Sequence, residues 1–81
     1  MSLDLEKIAD FITSTEKALS GFALDAMAMR GRLPTLRNLI GLLTEAMMET
    51  RNEDILAILT NLETRAQNCS DCIRHRLLIK C

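Results

Sequence analysis

Eighty-one residues, 11 acidic and 10 basic, make one small and nearly neutral domain spanning 1–81. At 48% apolar the chain is too hydrophobic for a disordered tail. Val, Tyr and Trp are absent and Phe occurs only at positions 11 and 22, so any core is Leu, Ile, Ala and Met. That argues against a β-sheet and for an all-α protein.

The first predicted element is a long helix. Leu5, Ile8, Ile12, Thr15, Leu19, Phe22, Ala26 and Met29 are spaced 3, 4, 3, 4, 3, 4, 3, which places all eight on one heptad stripe. Ser2 or Asp4 offers an oxygen to cap its start, and Gly31 suits the position just past its end. Such a helix is about 40 Å long. One alternative is a break near Thr13, because Thr13 and Glu16 have capping-box spacing and Ser20-Gly21 is a weak point.

Arg30 to Thr35 reads as the clearest boundary, since Leu33 precedes a proline and Pro34 suits a first helical position. A shorter second helix is expected from Pro34 to about Thr50, with Leu36, Leu39, Ile40, Leu43 and Met47 inward. Asn52 then caps a third helix that starts near Glu53 and carries Ile55, Leu59, Leu62, Ala66, Cys69 and Ile73 on its seam. The expected fold is a small antiparallel bundle of three helices, long, short and long.

A chain of this size has a thin core, so completion of the bundle by dimerisation is expected. The residues assigned to the partner or oligomer interface are Leu5, Ile8, Ile12, Leu19, Phe22, Leu59 and Leu62. A three-helix monomer holding a groove open for a partner helix is the competing arrangement.

Charge is segregated along the chain. Residues 1–29 sum to −3, 30–37 to +3, 38–71 to −4 and 72–81 to +3. In an up-down-up bundle both basic segments meet at one pole. Arg37, expected in the first turn of helix 2, is an unfavourable cation there unless an anion binds, which makes Arg30, Arg32 and Arg37 a candidate anion site.

Every cysteine and the single histidine fall in the last 13 residues. Cys69, Cys72, His75 and Cys81 match a zinc set by ligand type, but the i, i+3, i+6 spacing sweeps around a straight helix, so only adjacent pairs share an ion. They are read as core and flanking residues with reduced thiols, and no metal or cofactor is called for. Cys69-Ser-Asp-Cys72 sits late in a helix rather than after a strand, unlike a redox motif. The methionines are read as core filler.

Nothing points to catalysis: there is no phosphate loop, nucleophile elbow or helical metal motif. The longest apolar runs hold about five residues against the roughly 20 of a membrane span. Asp4, Glu6 and Asp10 stand where a secretory leader would be basic, so no membrane and a cytoplasmic location are expected. The leading expectation is a non-enzymatic interaction protein of adaptor, regulator or co-chaperone kind, homodimeric, binding a partner protein through its apolar stripe. The alternative is a dimeric nucleic-acid-binding regulator using a basic pole of Arg30, Arg32, Arg37, Arg74, Arg76 and Lys80.

Overall fold

The computed structural model describes residues 4–79 and consists of three helices, α1 (Leu5–Ser20), α2 (Ala26–Glu49) and α3 (Glu53–Ile79). The all-α bundle expected from composition is the observed fold, but the order of lengths is not. α1 has 16 residues, α2 24 and α3 27, so the sequence is short, long, long.

The correction comes from where the first turn falls. The Asp4 carboxylate caps α1 by accepting from the Lys7 N–H at 3.1 Å. The helix then runs through Thr13, where the alternative placed a break, and stops at Ser20. Its end is a Schellman motif: the Ala23 N–H donates to the Ala18 carbonyl at 2.8 Å and the Phe22 N–H to the Leu19 carbonyl at 3.2 Å. Phe22 therefore takes the left-handed position, with φ of 52°. Glycine is the usual occupant there, and Gly21 comes one residue too early to fill it.

α2 begins directly after this turn, with the Asp25 carboxylate accepting from the Ala28 N–H at 2.8 Å. It continues through Gly31 and Pro34, which were expected to end one helix and start the next. Pro34 has no N–H for the Arg30 carbonyl. Its ring is exposed, so that carbonyl lies on a face water can reach while Leu36 is buried on the other side. The second turn is as expected. The Asn52 side-chain oxygen accepts from the N–H groups of Asp54 and Ile55 at 2.9 and 3.3 Å, and α3 starts at Glu53.

The bundle is built around α3, which packs against both α2 and α1, while α1 and α2 touch only lightly. α1 and α3 run in the same direction and α2 runs opposite, within an envelope of 43 × 19 × 19 Å. Ile8, Ile12, Thr15 and Leu19 from α1 meet Met29, Leu36 and Leu43 from α2 and Leu59, Leu62, Ala66, Cys69 and Ile73 from α3. The heptad stripe of α1 is thus buried as far as Leu19. Beyond it Phe22 is 78% exposed, and at the other end of the bundle Ile55 is exposed rather than in the seam.

Candidate interaction surface

α1 has eleven residues fewer than α3 and lies along its middle and C-terminal parts, with Leu5 near Ile58 and Leu19 near Cys69 and Cys72. Among the described residues, α1 does not extend along the first turn of α3. Ile55, Leu56 and Ile58 are exposed near the start of α3, Ile58 by 50%, and Met48 is exposed at the nearby end of α2. Between α1 and α3 lies an open groove of about 550 Å³, lined chiefly by Leu5, Ala9, Ala57, Ile58 and Leu62.

The groove is closed at one end by a polar clamp. Arg65 on α3 donates to both carboxylate oxygens of Glu16 on α1, at 2.6 and 3.2 Å, and to the Thr13 hydroxyl at 3.0 Å. Two parallel charge-assisted bonds fix the register of one helix on the other. Hydrogen bonding from Arg65 holds the Glu16 carboxyl below the usual carboxylate range despite its partial burial, and the same bonds raise the pKa of Arg65. Along the rim, Glu6 lines the groove and Glu53 lines the adjacent face of α3.

The structure distributes the residues assigned to the partner interface differently from expectation. Ile8, Ile12, Leu19, Leu59 and Leu62 come together, but in the chain's own core. Leu5 is half-buried at the groove and Phe22 is exposed on the turn at the far pole. Packing of α1 on α3 has used the stripe that sequence periodicity offered to a second molecule.

Arg37 is not the first-turn cation on which the candidate anion site depended. α2 starts at Ala26, so Arg37 lies well inside the helix and not in its first turn. The N-terminus of α2 is already occupied by the Asp25 carboxylate. Arg32 donates to the Thr15 hydroxyl at 2.8 Å, with its guanidinium 5.4 Å from the Phe11 ring centroid. Arg76 stacks 4.5 Å from the Phe22 ring centroid. Of the six basic-pole residues, Arg30, Arg37 and Arg74 are exposed, and Lys80 lies outside the described residues.

Cys69 is buried and Cys72 half-buried, both as free thiols, while His75 is exposed. Cys81 lies outside the described residues. Among the described residues no group of three or more His, Cys, Asp or Glu is placed to hold a metal ion. Burial pushes the Cys69 thiol up to about 11 from an ordinary 9.0, the opposite of an activated thiolate. No helix of the described residues is long and apolar enough to cross a membrane.

Sequence reasoning missed the Arg65–Glu16–Thr13 clamp and the Arg32–Thr15 bond. These pairs are far apart in the chain, and no spacing rule links them. Comparison with protein-family models, with curated proteins and with solved structures gives no match.

Proposed function

We propose that the protein is a non-enzymatic interaction module that works as a homodimer and binds a helix of a partner protein in the groove between α1 and α3. One observation supports this reading: Ile58, half exposed on α3, and Leu5 and Ala9 on α1 line an open apolar groove between the two helices. Single exposed apolar residues are ordinary on small proteins, but apolar residues grouped along a groove between two helices match helix-in-groove recognition. The carboxylates Glu6 and Glu53 on the rim favour a partner helix with basic flanks.

Photo-crosslinking in the producing cell tests the groove. A crosslinking residue at position 58 is expected to form a discrete covalent adduct with a second protein. The same residue at Asn38, exposed on α2, should form none, and adding Leu5→Asp should remove the adduct. Equal labelling from both positions, or none from position 58, contradicts the reading.

A further inference from the structure

We propose that two copies of this chain pair by exchanging α1. The turn over residues 21–25 straightens, α1 and α2 become one continuous helix, and α1 of each copy occupies the α1 seat on the other copy's α3. This rests on the self-association part of the proposed function and says how the pair is made.

The first support is the phase of the apolar stripe. After Met29 come Leu33, Leu36, Ile40, Leu43 and Met47, at steps of 4, 3, 4, 3 and 4. The stripe that begins at Leu5 thus runs to Met47 with no phase shift across the turn. Two helices joined by a turn present their stripes independently and need no common phase. A single helix packed along its whole length against neighbours does need one.

The turn itself is the second support. It places a bulky aromatic residue at φ of 52°, in the left-handed region that favours glycine. Straightening relieves that conformation and returns Phe22 to the stripe. Gly21, the residue least suited to a straight helix here, has an ordinary φ of −90°, and a Cβ added to it would meet nothing closer than the Lys17 carbonyl at 3.5 Å. Nothing else in the segment forbids a helix.

Packing is the third support. α1 is held mainly by α3, through the core stripe and the Arg65–Glu16 clamp, and only lightly by α2. Because α1 is antiparallel to α2, two straightened chains laid antiparallel rebuild the up-down-up unit at each end. Every α1–α3 contact and the Arg32–Thr15 bond re-form between copies, as in other domain-swapped pairs. The contacts given up are those of the turn: the Asp25 cap and the Arg76–Phe22 stacking. The occupant of the α3 seat is a second copy because the seat is already complementary to this chain's own α1.

A charge-exchange pair tests the proposal. Glu16→Arg and Arg65→Glu each put like charges across α1 and α3 within one chain. In an exchanged pair containing one copy of each, opposite charges face one another at both seats. After equilibration, an equimolar mixture is expected to run as a dimer and to melt above either variant alone. Gly21→Ala should raise the dimer fraction of the unmodified chain. Phe22→Gly should lower it, by removing both the strained turn and an apolar member of the stripe.

If the unmodified chain is a dimer but the mixture melts as its two components and the turn variants leave the mass unchanged, exchange is wrong and self-association stands. An unmodified chain and mixture that both remain monomeric overturn self-association as well. Should a charge variant fail to fold, the opposed shifts of the two turn variants decide the matter.

Discussion

Phe22 shows how one residue sets the form of this molecule. It ends α1 in a conformation that costs an L-residue about 1–2 kcal/mol, partly offset by stacking of about 0.5–1 kcal/mol with Arg76. Core residues act by ordinary packing. Leu43 is fully buried, so Leu43→Ala should destabilise by about 2–5 kcal/mol. Met27→Ala and Met48→Ala, both at exposed positions, should stay within about 0.5 kcal/mol. Urea unfolding monitored by circular dichroism separates the two cases.

Cys69 adds a pH signature. Its folded pKa is raised to about 11 from 9.0, so the neutral thiol is favoured by the fold. That contribution is complete below pH 9 and is lost as the pH rises from 9 to 11. Stability is therefore expected to fall through this window, and Cys69→Ala should remove this component of the fall. Glu16 has the opposite sign. Its pKa is lowered by Arg65, so its contribution is complete above the unfolded carboxylate pKa and is lost as the pH falls through the folded value.

Among the elements, α2 departs furthest from its sequence signals, and Pro34 is the reason to test it. A proline inside a helix removes one backbone bond and strains the preceding turn. Pro34→Ala should therefore stabilise the protein, by about 1–3 kcal/mol. A neutral or destabilising result would mean the helix does not run continuously through residues 30–37. Asp25→Ala removes the α2 cap and should cost the closed single-chain bundle about 1 kcal/mol, with no such cost to an exchanged pair.

The same elements show what was legible in the sequence. The start of α3 was readable because Asn52, Glu53 and Asp54 act through local hydrogen bonds and the helix dipole. The inward faces of α1 to Leu19 and of α3 from Leu59 were readable because burial follows periodicity. The first turn was not. Pro34 and Gly31 are strong local signals, and here tertiary packing overrides them. The heptad spacing runs unbroken across the real turn and so hides it. Gly21 marked a weak point one residue away from the left-handed position. A groove between helices was legible as the competing arrangement, but its lining residues were not, because they depend on where the first turn falls.

The whole molecule is a bundle that closes on itself, exposes Ile55, Leu56 and Ile58 near the start of α3, and carries a stripe in phase for a longer helix. Exchange would bring the two poles carrying Arg30, Arg74 and Arg76 together. Repulsion between them opposes pairing and is screened by salt. The dimer fraction should therefore rise with ionic strength, and a fall would contradict the arrangement. The most direct test of the central claim, that this protein acts through association, is its molar mass by light scattering on reduced protein over a concentration series. The account predicts a species of twice the 9.1 kDa chain mass. A mass that stays at that of one chain at every concentration would contradict it.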